Sequence, residues 1–221
     1  VYKRQVVGCL PPLPEAAIES RHLGLKTAAE ITDLQRKIAL LADAAQRSID
    51  WALLEKLCGR PAPAAIPQNF PATRVRIAVA RDPAFCFTYA ETLEALRENG
   101  AELCFFSPLT DAALPENSGG LYLPGGYPEL YAAQLAANAP MRRAIKNAVE
   151  SGLPTVAECG GYLYLQTALE DQEGGLHSMA GVLPGKAWYT GKLRRFGYLT
   201  LKARRESLYG LSLIHISEPT R

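Results

Sequence analysis

The sequence carries little excess charge of either sign. Its 221 residues include 24 Lys and Arg against 22 Asp and Glu, which gives a formal net charge of +2. That balance offers no electrostatic basis for binding nucleic acid or an anionic membrane surface. No apolar run is long enough to cross a bilayer, and the first residues carry no apolar core of a signal peptide. We therefore expect neither nucleic-acid nor membrane partners.

Cysteine is scarce and scattered. The five cysteines stand at positions 9, 58, 86, 104 and 159, without a C-x-x-C pair and without a zinc-ligand spacing. This use of cysteine is typical of reduced thiols in a cytoplasm rather than of a disulfide framework. The sequence therefore predicts a cytoplasmic protein with no metal site.

Proline and alanine concentrate in one stretch, residues 61–72, which is predicted to be a linker. Before it, the chain offers a strand end at Val6–Leu10 and an amphipathic helical pattern over Ala28–Leu57. One strand and one helix cannot enclose a core. Residues 1–60 are therefore predicted to be the remnant of a larger domain.

The two ends of the chain continue none of these patterns. Residues 1–5 lack an initiator Met, and residues 211–221 resemble translated linker sequence. Both stretches are expected to be foreign to the fold. Residues 73–210 are then expected to form the main domain.

Residues 73–210 alternate between strand and helix patterns. The predicted strands are Val75–Ala80, Leu103–Phe106, Gly120–Leu123 and Thr155–Ala157, with less regular ones at Ala180–Leu183 and Leu193–Ala203. The predicted helices are Thr88–Asn99, Glu129–Ala137, Met141–Glu150 and Tyr162–Leu169. This alternation predicts an α/β fold, a parallel sheet with helices on both faces. Such sheets bind ligands at the carboxyl ends of their strands.

One strand end carries a reactive side chain. Cys159 follows the short apolar strand, and Gly160 and Gly161 come directly after it, before a helical pattern begins. A strand, a sharp turn with a nucleophile and a helix form a nucleophile elbow. A thiol at the N-terminal end of a helix also gains from the helix dipole, which favours the thiolate. The alternative is that Cys159 is a small buried hydrophobe, as many cysteines are.

A second strand end carries a glycine pair, Gly125 and Gly126. Thiol attack on an amide needs backbone N–H groups that stabilise the oxyanion. The N–H groups of Gly126 and Gly160 are candidates for this role, because the ends of parallel strands meet at one edge. The alternative for the glycine pair is a simple tight turn.

The general base is missing from this constellation. His22 lies before the linker, His177 lies in a polar segment predicted to be a solvated loop, and His215 lies in the suspect tail. None of the three follows a late strand in a catalytic context.

Several segments together resemble the cobyrinic acid a,c-diamide synthases of cobalamin biosynthesis. The matching segments are Arg21–Leu25, Ala80–Tyr89, Phe105–Pro108, Gly125–Glu129, Ala157–Tyr162 and Gly181–Gly185. The resemblance implies a class I glutamine amidotransferase domain, flavodoxin-like in fold, preceded by the remnant of an ATP-binding P-loop domain similar to dethiobiotin synthetase. Such enzymes are amide ligases: ATP and Mg²⁺ activate the a- and c-acetates of a corrin ring, and glutamine supplies the ammonia.

The resemblance also implies roles for individual residues. Cys159 would be the nucleophile that attacks glutamine, and Gly126 and Gly160 would stabilise the oxyanion through their N–H groups. The family's catalytic histidine should follow Tyr209-Gly210, where the suspect tail stands, so the base is expected to be absent from this chain. The phosphate-binding loop is absent as well, and no residue is assigned to a cofactor. The chain is therefore expected to have at most trace glutaminase activity.

Three residues after the first strand of the domain match the family but carry no clear chemistry. Asp82, Phe85 and Tyr89 are candidates for lining a domain interface or an ammonia route, and packing roles are the alternative. The Arg21–Leu25 segment receives no role.

Other functions fit parts of the same pattern. The parent enzyme could act on hydrogenobyrinic acid, which lacks cobalt, or on a nickel sirohydrochlorin. A thiol hydrolase on a flavodoxin-like sheet is a second alternative, and a non-catalytic binding module is a third. The order of amidation and the oligomeric state stay open.

Overall fold

The computed structural model describes residues 5–18, 28–59, 74–188 and 190. The chain divides into two compact units, Val1–Gln68 and Asn69–Arg221. The predicted linker at 61–72, the predicted strand Leu193–Ala203 and the predicted foreign tail lie outside the described residues.

The described residues of the first unit contain two α-helices. They are α1 (Leu34–Ser48) and α2 (Trp51–Cys58). The single helix predicted over Ala28–Leu57 is wrong, because the backbone of Ile49 is extended, with φ −111° and ψ 134°. The carboxylate of Asp50 accepts the N–H of Leu53 at 3.0 Å and so caps the start of α2. The Asp50 side chain therefore starts a second helix, where the periodicity alone predicted one continuous helix.

The start of the first unit forms no regular strand. The strand end predicted at Val6–Leu10 is reduced to one antiparallel bridge between Gly8 and Ile49. Short 3₁₀ turns occupy Pro14–Ala16 and Ala28–Glu30. Only Ala16 and Ala44 are buried hydrophobic residues in the described part of this unit.

The second unit is built on a parallel sheet. Its strands are β1 (Val75–Ala80), β2 (Ala101–Phe106), β3 (Gly120–Leu123) and β4 (Thr155–Ala157), in the order β2-β1-β3-β4. Every neighbouring pair is parallel, and Val79, Tyr122 and Val156 follow one another across the register. The carboxyl ends of all four strands therefore lie along one edge. The predicted α/β fold with a parallel sheet is confirmed.

Helices cover both faces of this sheet. They are α3 (Ala90–Glu98), α4 (Ala132–Ala137), α5 (Ala139–Glu150) and α6 (Gly160–Leu165). Side chains alternate along β1, so Ala78 and Ala80 enter one cluster while Val79 enters the other. We call the side with α4, α5 and α6 the packed face and the side with α3 the α3 face. None of the helices among the described residues is both long and apolar enough to span a bilayer.

A small second sheet follows α6. It contains β5 (Ala168–Glu170), β6 (Leu176–Ser178) and β7 (Lys186–Ala187), in the order β6-β5-β7. The helix predicted over Tyr162–Leu169 therefore ends early, and the hairpin of β5 and β6 was not predicted. The strand predicted at Ala180–Leu183 is also wrong. Its N–H groups donate to carbonyls at the C-terminal end of α6, including two bonds of 2.9 Å to Leu165, and so cap that helix.

Candidate active site

Cys159 lies at a sharp turn between β4 and α6. The N–H of Glu158 donates to the Leu123 carbonyl at 3.0 Å, and the N–H of Gly161 donates to the Pro124 carbonyl at 3.1 Å. These bonds fix the turn to the end of β3. Cys159 has φ +45° and ψ −108°, and Asn117 is the one other non-glycine residue with positive φ in the described part of the chain. Such a conformation costs about 1–3 kcal/mol and is typical of a nucleophile elbow.

The glycines around this turn allow a close approach of backbone segments. A Cβ atom on Gly126 would lie 2.1 Å from the Ala84 carbonyl oxygen. One on Gly160 would lie 3.0 Å from the Gly126 nitrogen and 2.8 Å from Cδ of Pro128. The loop after β3 and the turn after β4 therefore meet with no side chain between them. The two strand ends that the sequence singled out are brought together.

The backbone N–H groups of Gly160 and Gly126 are the donors that act on the Cys159 thiol. The residue is exposed, yet part of its side chain is shielded by the neighbouring backbone. This burial raises the pKa of the Cys159 thiol, and the charges of Glu129 and Glu158 raise it further, while the two N–H groups lower it. Burial therefore opposes the thiolate that was expected at this helix end, because desolvation outweighs the two N–H groups.

The loop that carries Gly126 is supported from the loop after β1. The N–H of Phe87 donates to the Gly125 carbonyl at 3.0 Å. The rings of Phe87 and Tyr127 meet edge to face, with centroids 5.0 Å apart. Sequence reasoning missed this support, since only the sheet order places the β1 and β3 loops side by side.

Asp82 ties two strand ends together. One carboxylate oxygen accepts the N–H groups of Ala84 at 2.8 Å and Phe85 at 3.2 Å. The other accepts the Ser107 hydroxyl at 2.9 Å and the Leu109 N–H at 3.0 Å. These bonds join the loops after β1 and β2, so Asp82 holds the carboxyl edge of the sheet in shape.

Phe85 and Tyr89, the other two residues singled out after the first strand, differ in their exposure to solvent. Phe85 is fully buried, and its ring centroid lies 5.3 Å from that of Tyr164 in the packed face. Tyr89 is 77% exposed, just before α3. Phe85 therefore packs the core beneath the loops, while an interface role for Tyr89 stays a prediction.

The described histidine lies in the small second sheet. His177 belongs to β6 and pairs with Leu169 of β5. Its Nε2 lies 2.6 Å from the Asp171 carboxylate, and the two side chains are 23% and 18% exposed. This hydrogen bond lowers the pKa of Asp171. The interpretation of His177 as a solvated loop residue is therefore wrong, and its described partner is Asp171. His22 and His215 lie outside the described residues.

A polar pair lies on the α3 face beside the elbow. The hydroxyl of Tyr122 donates to the Glu158 carboxylate at 3.1 Å. Both residues line a cavity of about 360 Å³, whose other walls include Ile77, Leu96 and Val156. Glu158 and Glu129 are charged residues that act on the thiol, and sequence reasoning did not single them out as site residues. Their positions directly before Cys159 and after the glycine pair were the available signal.

The described residues contain no group of three or more His, Cys, Asp and Glu side chains that would hold a metal ion. The sequence also contains no G-x-x-x-x-G-K-[ST] phosphate loop. These two observations therefore assign no described residue to ATP or Mg²⁺. The groups described at the elbow are a thiol and two backbone N–H donors.

Residues 76–218 match the CobB/CobQ-like glutamine amidotransferase domain. The match begins in β1 and includes every strand and helix of the second unit described above except the first residue of β1.

Curated relatives carry related names. The chain is 42% identical over 210 residues to a cobyrinate a,c-diamide synthase of Dehalococcoides mccartyi, which covers 92% of this chain and 45% of the relative. It is 43% identical over 198 residues to a cobyrinate a,c-diamide synthase of Caldanaerobacter subterraneus, covering 88% and 44%. It is 46% identical over 190 residues to a hydrogenobyrinate a,c-diamide synthase of Pseudomonas aeruginosa, covering 81% and 43%. The chain thus spans less than half the length of these relatives.

Proposed function

The chain belongs to the CobB/CobQ-like glutamine amidotransferase family, and from this we propose that it is the glutamine-hydrolysing part of an a,c-diamide synthase of cobalamin biosynthesis. Its substrate is L-glutamine, and the ammonia that it releases amidates the a- and c-acetates of a corrinoid ring. The reaction takes place in the cytoplasm.

One observation carries the proposal: the N–H groups of Gly126 and Gly160 meet beside the Cys159 thiol, since a Cβ atom on Gly160 would lie 3.0 Å from the Gly126 nitrogen and both groups lower the pKa of the thiol. These groups come from two different strand ends, and glycine is required at each because no Cβ atom fits. A thiol between two fixed N–H donors is suited to attack on a carboxamide carbon, whose oxygen becomes negatively charged beside those donors.

The proposed reaction has two steps. The sulfur of Cys159 attacks the side-chain carboxamide carbon of glutamine, and the oxyanion is stabilised by the N–H groups of Gly126 and Gly160. The carbon–nitrogen bond breaks, and ammonia leaves with the proton that the thiol gave up. Water then attacks the γ-glutamyl thioester, which releases glutamate and restores the thiol.

The proposal keeps the general base outside this chain. None of the three histidines is assigned to it, and His177 is hydrogen-bonded to Asp171. Losing general-base assistance typically lowers a rate by about 10²–10⁴-fold. We therefore expect at most trace glutaminase turnover, and robust turnover that Cys159→Ala abolishes would contradict this part of the proposal.

ATP, Mg²⁺ and the ring belong to the remaining part of the parent enzyme. The part of the chain that the structure describes contains no metal-binding cluster, and the sequence contains no phosphate loop of the G-x-x-x-x-G-K-[ST] type. The ring is cobyrinate or its cobalt-free counterpart hydrogenobyrinate, since the relatives carry both names. The parent is then an ATP-dependent amide ligase.

The test measures glutamine binding without turnover. Cys159 is alkylated with iodoacetamide in the presence of increasing L-glutamine, and the modified peptides are quantified by mass spectrometry. L-Glutamine should slow alkylation of Cys159, and D-glutamine should not. Cys58, which is exposed and lies in the first unit, serves as the internal control. Equal alkylation of Cys159 with and without L-glutamine would refute the proposed function.

A further inference from the structure

We propose that Glu129 binds the α-ammonium group of L-glutamine and so determines the specificity of this site for an amino acid. The inference rests on the proposed function, and it adds a residue that recognises the end of the substrate remote from the reacting amide.

The position of Glu129 follows from the loop that carries Gly126. Pro128 lies against the elbow, because its Cδ is 2.8 Å from where a Cβ of Gly160 would be. Glu129 is the next residue, in the 3₁₀ turn Pro128–Tyr131, and it is partly buried. A carboxylate is thus placed one residue beyond the contact between the two strand ends.

The thiol faces this loop. The Cβ of Cys159 lies 3.4 Å from where a Cβ of Gly125 would be, and the Gly126 N–H group lowers the pKa of the thiol. A glutamine whose carboxamide occupies the thiol and the two N–H groups therefore lies along the loop after β3. Its α-ammonium group, at the other end of a short aliphatic chain, comes into the region of Glu129.

The charge of Glu129 fits a cationic partner. The carboxylate is close enough to raise the pKa of the Cys159 thiol, which opposes formation of the attacking thiolate. A bound ammonium group beside Glu129 offsets this negative charge. Binding of the correct substrate then removes a charge that disfavours the nucleophile.

Glu158 is a matched control, although it also adjoins the thiol. Its carboxylate accepts the hydroxyl of Tyr122 at 3.1 Å. It also lines the cavity of the α3 face together with Val156. Glu158 therefore shares the charge of Glu129 and its effect on Cys159, but it lines the cavity of the α3 face.

The experiment compares two protecting ligands in the full 221-residue chain. Alkylation of Cys159 by iodoacetamide is measured with L-glutamine and with 5-amino-5-oxopentanoic acid, the same molecule without the amino group. Rates with and without ligand are compared within each protein, because a change of charge also alters the thiol itself. The variants are Glu129→Gln, Glu129→Asp and Glu158→Gln.

Glu129→Gln should raise the L-glutamine concentration for half-protection about tenfold or more, because a charge-assisted hydrogen bond is lost. The half-protection concentration of the analogue should stay the same, Glu129→Asp should restore part of the effect, and Glu158→Gln should change neither ligand. An unchanged response of Glu129→Gln, an equal loss for both ligands, or an equal loss in Glu158→Gln would overturn the inference alone. Absence of protection in the unmodified chain would instead overturn the proposed function, and the inference with it.

Discussion

The two faces of the parallel sheet are unequally filled. Among the described residues, the packed face buries a cluster of sixteen, which includes members of α4, α5, α6 and the second sheet. On the α3 face the described residues bury three, Val79, Leu93 and Tyr122, beside the cavity of about 360 Å³. Both faces contact the same strands, so the difference lies in what covers them. The free energy of burial therefore comes mainly from the packed face.

The elbow belongs to the well-filled side. Gly161 of the elbow turn contacts Leu123, and Tyr164 of α6 packs on Phe85 below the loop after β1. A strained backbone persists only where the surroundings determine it strongly. The packed face holds the backbone around Cys159 in place, and the α3 face contributes the Tyr122–Glu158 hydrogen bond.

The largest expected effect compares one leucine from each face. Leu123 is fully buried in the packed face, and Leu93 is 8% exposed in the smaller cluster. Leu123→Ala should lower the free energy of unfolding by about 4 kcal/mol and Leu93→Ala by about 2 kcal/mol, because the looser side relaxes around the deletion. Urea unfolding measures both values. Equal losses would contradict the unequal filling of the two faces.

The next effect compares two glycines. An alanine Cβ at Gly160 would clash with Pro128 and approach the Gly126 nitrogen, whereas at Gly120, on β3, its nearest neighbours are 3.7 Å or more away. Gly160→Ala should weaken L-glutamine protection of Cys159 about tenfold or more, because the two N–H donors are displaced. Gly120→Ala should leave protection unchanged. Loss of protection in Gly120→Ala would mean that the α3 face also shapes the site.

The smallest effect compares two buried tyrosines. The Tyr164 hydroxyl has no hydrogen-bond partner among the described residues, and burial raises its pKa. Tyr164→Phe should therefore be neutral or stabilise the fold by up to about 1 kcal/mol, since it removes an unsatisfied group. Tyr122→Phe should cost about 1 kcal/mol, since it removes the bond to Glu158. Urea unfolding should thus show a loss of stability in Tyr122→Phe and none in Tyr164→Phe, and a clear loss in Tyr164→Phe would reveal a partner for its hydroxyl.

Much of the sheet could be predicted because its signals are local. The bounds of β1, β3 and β4 agree with the predicted ones, since each is a short apolar run ended by polar, glycine or proline residues. The small second sheet could not be predicted in the same way. Its hairpin depends on pairing between β5 and β6. Residues 180–183 have a strand-like pattern, but their N–H groups donate to carbonyls at the C-terminal end of α6.

The candidate site was predictable in its residues but not in its electrostatics. The spacing of glycines and cysteine identified Cys159, Gly126 and Gly160, and the strand order brought them together. The pKa of the thiol depends on burial and on Glu129 and Glu158, whose distances from the sulfur are set by the folded loops. The helix dipole that the sequence predicted includes neither the burial of the thiol nor these two charges.

The positive φ of Cys159 sets stability and reactivity against each other. Glycine adopts this conformation readily, whereas a side chain there is strained. The residue best suited to the backbone at this position would therefore be one with no thiol. Stabilising substitutions chosen only to relieve backbone strain would therefore replace the nucleophile first.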